Sequence, residues 1–239
     1  MDVQLEDGVT TLRIDHPPVN AFDLGVVEDA VATIRGIRGP IVVTGTGTCF
    51  SAGVDLRAIV DGGPDYIDRF FTAASSAFLA VFDHPAPVVA AINGHAIAGG
   101  CVLAMAADVR VMSTGTIGLS EVAVGVPFPV AALEICRYAM GPSVTRAVLQ
   151  ADNIDARSAV ERGWIDEVVA PNDLLTHAVA TARALGRHQP TAYAAMKEQL
   201  HRHAREAIDA GAELDANVRA TWKSDETRAR ISAFLDALT

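Results

Sequence analysis

Two adjacent glycines, Gly99 and Gly100, lie where an apolar run gives way to a stretch rich in Ala, Met and Leu. The run, residues 87–92, is typical of a buried strand, and the stretch after Gly100 is typical of a helix. Such a junction leaves backbone N–H groups unpaired and directs them, with the helix dipole, at one point. Because glycine has no Cβ, a ligand can approach closely. The junction predicts a site for a group that carries or develops negative charge; the alternative is a close-packed turn without a ligand.

A second loop, residues 45–57, also follows a short apolar strand. Its glycines do not end in the Gly-Lys-Ser/Thr of a P-loop, and their spacing does not match a dinucleotide-binding fingerprint. What remains is a strand-to-helix loop of small residues just before Asp55. By the same reasoning, this loop can offer the backbone N–H of Val54 to a ligand.

A single carboxylate, Glu121, stands among seven apolar side chains in residues 116–129, which we interpret as a strand region. Apolar surroundings disfavour the charged form and would raise the pKa of Glu121. A raised pKa suits a group that transfers protons near neutral pH. The alternative is a glutamate on a solvated strand face.

Other kinds of chemistry have little support in the sequence. The seven histidines show no metal-ligand spacing, and no Gly-x-Ser-x-Gly motif occurs. The three cysteines are odd in number and widely spaced, which fits a reducing compartment better than disulfides or zinc. We predict neither a metal nor a bound cofactor.

The composition of the 239 residues fits one large domain, or one domain with an appendage. A net charge of -10 without a basic cluster argues against nucleic acid and anionic membranes as partners. Residues 88–107 are long enough to span a membrane, but Asn93, His95 and three glycines interrupt them. The first residues lack the pattern of a signal peptide. We therefore predict a soluble, cytoplasmic protein.

These candidate groups need a scaffold, and the periodicity predicts a mixed α/β region followed by helices alone. We place the α/β core at residues 1–187 and the helical region at 188–239. The predicted elements are a hairpin over residues 3–14, helices over 24–37, 66–82, 130–140, 145–149 and 155–162, and strands over 41–44, 109–112 and 163–169. The last helix has one apolar face, which needs its own core or a neighbouring subunit to pack on: Ile231, Phe234, Leu235 and Leu238.

Two loops that each supply one N–H, together with a glutamate in apolar sequence, can stabilise a thioester enolate. With these features the sequence resembles the crotonase (enoyl-CoA hydratase/isomerase) superfamily. The resemblance extends over nearly the whole chain. It lies in residues 50–56, 92–101, 108 and 117–121, and more weakly in 163–169 and 223–238.

The resemblance implies an α/β spiral of ββα units with a helical C-terminal region, assembled as trimers or hexamers. It implies an acyl-CoA thioester as substrate, with the amides of Val54 and Gly99 forming an oxyanion hole. Ala52 would line the CoA loop, Arg57 would face a CoA phosphate, and Phe234 would complete the CoA site.

One departure from the family pattern separates the possible reactions. Hydratases of this family have a glutamate directly after Gly-Gly-Cys and a second at the position of Glu121, but this chain has Val102 at the first. Adding water uses both carboxylates, whereas moving a double bond from the 3,4 to the 2,3 position needs one base. The pattern is similar to that of mitochondrial-type Δ3,Δ2-enoyl-CoA isomerases, and isomerisation with Glu121 as the proton shuttle is our first prediction.

Two alternatives stay open at this point. A hydratase-like enzyme could use Glu134 as its second acid, unless Glu134 simply lies on a solvated helix face. A non-catalytic acyl-CoA binder could keep the pocket without the reaction. The acyl chain length is not determined, since the aromatic candidates for the tail pocket could equally lie in the core: Phe70, Phe71, Phe78 and Phe128.

Overall fold

A computed structural model describes residues 1–237 of the chain, so Leu238 of the predicted apolar helix face lies outside the described residues. The strands within this range are β1 (Asp2–Glu6), β2 (Val9–Ile14), β3 (Ile41–Gly45), β4 (Cys49–Ser51), β5 (Val88–Ile92), β6 (His95–Ile97), β7 (Val109–Met112), β8 (Thr116–Gly118), β9 (Ile154–Asp155) and β10 (Glu167–Val168). The α-helices are α1 (Leu24–Gly36), α2 (Leu56–Phe82), α3 (Gly99–Met105), α4 (Glu121–Val124), α5 (Val130–Met140), α6 (Val144–Gln150), α7 (Ala156–Glu161), α8 (Leu174–Leu185), α9 (Pro190–Ala210), α10 (Ala212–Trp222) and α11 (Asp225–Asp236).

The strands form two sheets, and the chain crosses repeatedly from one to the other. The larger sheet has the order β1-β2-β3-β5-β7-β10, and the smaller has the order β4-β6-β8-β9. Each of β3, β5 and β7 is followed by the neighbouring strand of the small sheet and then by a helix. This is the spiral of ββα units that the family resemblance implies.

The small sheet determines where the candidate groups meet. Its strands β4, β6 and β8 are parallel neighbours, so their carboxyl ends lie side by side at one edge. Val54, Gly99 and Glu121 each follow one of these strands by two or three residues. The topology therefore brings together three residues that are far apart in the sequence.

The large sheet is covered on both faces because its central strands are apolar on both sides. Alternate residues such as Val42, Val89 and Val111 point to α8, where they pack with Leu174 and Ala178. The side chains of the opposite face join a much larger core beneath the other helices. Because successive side chains of a strand point to opposite faces of the sheet, the same strands contribute to the core on both faces.

Three predicted elements differ from the structure. Helix α2 begins at Leu56, ten residues earlier than predicted, and bends at Gly63 (φ 72°), directly before Pro64. The late strand shrinks to Glu167–Val168. The strand interpretation around Glu121 was wrong, because β8 ends at Gly118 and Glu121 is the first residue of α4. Short apolar segments do not separate strand from helix by periodicity alone.

A buried ion pair joins the C-terminal helices to the sheet. Lys197 of α9 lies 2.8 Å from the Asp108 carboxylate, with side-chain exposures of 7% and 15%. Asp108 also accepts a hydrogen bond from the backbone N–H of Val88, at the start of β5. Asp108, a residue of the family resemblance, thus has a structural position between the core and α9.

We expect Lys197→Met to lower the free energy of unfolding by about 3–5 kcal/mol, because it leaves the Asp108 charge buried without its cation. Denaturant titration measures this loss. The combined Asp108→Asn and Lys197→Met variant should recover part of it, since no unpaired charge remains. The control is Arg157→Met, which removes an exposed pair with Glu161 and should cost at most about 1 kcal/mol. Equal losses for the two single variants would contradict a structural role for the buried pair.

Candidate active site

A cavity of about 470 Å³ opens at the carboxyl edge of the small sheet. Segments from the whole length of the chain form its wall: the loop after β2, the loops after β4, β6 and β8, and the last two helices. The lining residues are His16, Pro17, Pro18, Val19, Ala21, Ala52, Val54, Asp55, Leu56, Arg57, Ile97, Ala98, Ser120, Glu121, Val124, Val126, Trp222, Phe234 and Leu235.

The backbone N–H of Val54 is free to bind a ligand. The hydrogen bonds of its parallel bridge with Phe22 are formed by the residues on either side of Val54. Phe22 N donates to Gly53 O (2.7 Å), and Asp55 N donates to Phe22 O (2.9 Å). In this pattern the N–H of the intervening Val54 points away from Phe22. Within residues 1–237 it has no hydrogen-bond acceptor, and Val54 itself lines the cavity.

The second candidate donor is the N–H of Gly99, the first residue of α3. The first N–H groups of a helix have no acceptor within the helix, and the described residues supply none for Gly99. The preceding Ala98 has φ 54° and ψ −123°, a strained conformation for a residue with a Cβ. A hydrogen bond from Ala98 N to Gly118 O (2.8 Å) fixes this turn on β8.

The two donor loops are in direct contact, and glycine is needed where they meet. Gly53 has φ +83°, and a Cβ on it would lie 2.8 Å from the backbone nitrogen of Gly99. A side chain there would push the loops apart. The contact places both N–H groups beside the same cavity, as two donors to one developing anion require.

Glu121 brings the carboxylate to this cavity in an apolar environment. The residue as a whole is half-buried, but its Oε2 atom is buried and has no hydrogen-bond partner among residues 1–237. Burial raises the pKa of the Glu121 carboxyl to about 8. Burial is the main cause of the raised pKa of the Cys101 and Cys136 thiols. The nearby Glu121 charge raises their pKa further. A carboxyl with such a pKa can both take up and release a proton near neutral pH.

Within residues 1–237, the cavity lining holds no second carboxylate of this kind. Asp55 also lines it, but Asp55 caps helix α2 by accepting hydrogen bonds from Arg57 N (2.9 Å) and Ala58 N (3.1 Å). Glu134 is outside the lining and accepts two 3.1 Å hydrogen bonds from Arg137 Nε. Val102 is buried in the core. The candidate second acid of a hydratase is therefore held elsewhere.

The predicted site residues divide into two groups. Five of them line the cavity: Ala52, Val54, Arg57, Glu121 and Phe234. Gly99 is not in the lining but directly follows the lining residue Ala98. The aromatic candidates for the tail pocket lie outside the lining and contribute to the main core instead: Phe70, Phe71, Phe78 and Phe128.

Sequence reasoning missed the participation of His16, Trp222 and Leu235 in the cavity wall. Trp222 had a usable signal, since it ends an amphipathic helix just before the Ser224 cap. No local pattern connects His16 or Leu235 with the loops after β4 and β6.

The described part of the chain lacks two further kinds of feature, a metal-binding cluster and a membrane-spanning helix. Residues 1–237 hold no group of His, Cys, Asp and Glu side chains that could bind a metal ion. No helix in the same range is both long and apolar enough to cross a membrane.

Comparison with known proteins shows the family and the fold. Residues 4–239 match the family described as Enoyl-CoA hydratase/isomerase. The chain is 31% identical to carnitinyl-CoA dehydratase of Salmonella arizonae over 198 residues, which are 80% of this chain and 76% of that protein. It is 29% identical to mitochondrial enoyl-CoA delta isomerase 1 of Rattus norvegicus over 178 residues, 70% of this chain and 61% of that protein.

The fold is similar to the crystal structure of human mitochondrial delta3-delta2-enoyl-CoA isomerase, with a TM-score of 0.92 and 23% identity over 99% of this chain and 96% of that one. This similarity confirms the predicted crotonase fold. The chain belongs to the enoyl-CoA hydratase/isomerase family and is an acyl-CoA enzyme of that family.

Proposed function

We propose that this protein isomerises 3-enoyl-CoA thioesters to 2-enoyl-CoA thioesters. The observation that carries the proposal is the Oε2 atom of Glu121, which has no hydrogen-bond partner among residues 1–237. The other carboxylate of the described lining, Asp55, caps a helix, and position 102 holds a buried valine. One base suffices for a double-bond shift, because the proton taken from one carbon is returned to another. Hydration needs a second group to activate water.

In the proposed reaction the ionised Glu121 removes a proton from the α-carbon of the substrate. The electron pair of the broken C–H bond moves towards the thioester carbonyl, whose oxygen becomes negative. The N–H groups of Val54 and Gly99 hold that oxygen. Protonated Glu121 then gives the proton to the γ-carbon, the double bond moves to the α,β position, and the carbonyl is restored. No atom is gained or lost.

The cavity has residues that can contact the CoA part of such a substrate. Arg57 is exposed at the rim, where it can face a CoA phosphate, and Ala52 lies beside the loop that supplies the Val54 amide. Phe234 of α11 reaches the cavity within the same chain. We also propose that the protein assembles as a trimer or a hexamer, as the family resemblance implies.

The decisive experiment mixes purified protein with 3-hexenoyl-CoA and follows formation of the conjugated thioester by ultraviolet absorbance. A parallel assay follows the loss of 2-hexenoyl-CoA absorbance by hydration. Isomerisation faster than hydration supports the proposal. Faster hydration would favour a hydratase, and tight binding of acyl-CoA without either reaction would favour a non-catalytic binder.

We expect kcat/KM for isomerisation to rise with pH and to level off above about pH 8. The active base is the carboxylate, and burial raises the Glu121 pKa to about 8, so the group is mainly protonated below that pH and ionised above it. A pH profile measured at substrate concentrations below KM checks this, with saturated acyl-CoA binding as the control for substrate affinity. A limb near 4.5, the ordinary pKa of a glutamate, would contradict the buried environment.

A further inference from the structure

Trp222 lies between the main cavity and a second, smaller cavity. The second cavity has a volume of about 90 Å³ and lies between α2 and α11. Its lining combines the apolar side chains of Ile59, Ile67 and Ile231 with the charged side chains of Lys223, Asp225 and Arg228. Trp222 lines both spaces and is therefore a partition between them.

Two contacts hold this partition in place. Trp222 is 3% exposed, and its Nε1 donates a 2.8 Å hydrogen bond to the backbone oxygen of Pro127. Its ring packs edge-on against Phe71 of α2, with 4.9 Å between ring centroids. Rotating the side chain would break the hydrogen bond and the ring contact together.

The partition is also fixed relative to the reacting carboxylate. Val126, the residue before Pro127, donates a 3.1 Å hydrogen bond from its backbone N–H to the backbone oxygen of Glu121. The same short segment thus carries the proposed base at one end and the Trp222 anchor at the other. The backbone of the base and the anchor of the indole therefore belong to one hydrogen-bonded turn.

The polarity of the lining determines the direction of a bound thioester. The charged and polar side chains His16 and Arg57 suit the CoA end. The apolar Val124, Val126 and Trp222 form another region of the lining, since the two valines follow Glu121 in the chain and Trp222 is hydrogen-bonded to Pro127. With the thioester oxygen at the Val54 and Gly99 amides and the α-carbon at Glu121, the rest of the acyl chain runs towards the indole.

We infer that Trp222 is the specificity-determining residue that limits acyl chain length, and that the enzyme prefers acyl chains short enough to end at its indole. The inference rests on the proposed function, since it assumes an acyl-CoA thioester held at the two amides. Chains that exceed this length must displace a buried, hydrogen-bonded tryptophan. Removing the indole would join the two cavities and lengthen the acyl site.

Calorimetric binding of saturated acyl-CoA thioesters, from butanoyl-CoA to hexadecanoyl-CoA, tests this without requiring turnover. For the wild type, affinity should rise about fourfold with each added methylene while the chain is being buried, and then stop rising or fall. For Trp222→Ala, the rise should continue to longer chains. Trp222→Leu, which retains more apolar volume, should shift the limit in the same direction by less and is the second variant if Trp222→Ala does not fold.

Trp164→Phe is the matched control, because the protein's other tryptophan is also buried and donates its Nε1 hydrogen to a fixed oxygen, the Ser143 hydroxyl. It lies outside the cavity lining and should leave the chain-length limit unchanged. An identical limit in wild type and both Trp222 variants would overturn the inference, as would a wild type whose affinity rises without limit.

The isomerisation assay separates this inference from the proposed function. A shifted chain-length limit without isomerisation by the wild type would support the role of Trp222 and reject isomerase activity. Isomerisation by the wild type with an unshifted limit in the Trp222 variants would support isomerase activity and reject the role of Trp222. Failure of the wild type to bind any acyl-CoA would overturn both.

Discussion

Glu121→Gln is expected to lower kcat/KM for 3-enoyl-CoA isomerisation by about 10²–10⁴-fold, the usual loss when the acid–base group of a reaction is removed. The amide cannot accept the α-proton, yet it has nearly the same shape. Because Oε2 has no hydrogen-bond partner among the described residues, the substitution breaks no native hydrogen bond at that atom. Affinity for a saturated acyl-CoA and the unfolding transition should therefore stay close to wild type.

The matched control is Glu134→Gln, the same chemical change at the other candidate carboxylate. Glu134 interacts with Arg137 outside the cavity, so this variant should retain full isomerase activity. Initial rates by ultraviolet absorbance, with acyl-CoA affinity from calorimetry, separate chemistry from binding. Full activity in Glu121→Gln, or a large loss in Glu134→Gln, would contradict the assignment of Glu121 as the proton shuttle.

Gly100→Ala is expected to lower kcat by about 10²–10³-fold, as loss of an oxyanion-hole donor does in other enzymes. A Cβ on Gly100 would overlap the backbone carbonyl oxygen of Ser51, the last residue of β4. The overlap must force α3 and the loop after β4 apart. Since those two elements carry Gly99 and Val54, the donors would no longer meet at one oxygen.

The same substitution should also lower the free energy of unfolding by about 1–3 kcal/mol, as overpacking usually does. Gly36→Ala is its control, because no atom lies within 4 Å of a Cβ at that helical position. Activity and denaturant unfolding are measured on both variants. Wild-type kcat in a folded Gly100→Ala variant would contradict the proposed oxyanion hole.

The local signals at the candidate site predicted much of what the structure contains. Gly53 and Gly99 lie in loops that follow short strands, and such loops can be recognised from a dozen residues. The apolar surroundings of Glu121 predicted a raised pKa, and burial produces one. The strand assignment at Glu121 failed because Glu121–Val124 forms only one helical turn, too short for its periodicity to be recognised.

The sequence by itself determined the family, the two N–H-donating loops and the candidate base, because each depends on neighbouring residues and on motifs of fixed spacing. Only the tertiary structure decided which groups share a cavity. That β4, β6 and β8 are parallel neighbours, that Glu134 lies outside the cavity, and that Trp222 lines the same cavity as Glu121 all depend on how distant elements pack. Helical and strand periodicities show which face of an element is apolar, but they do not show which distant element covers that face.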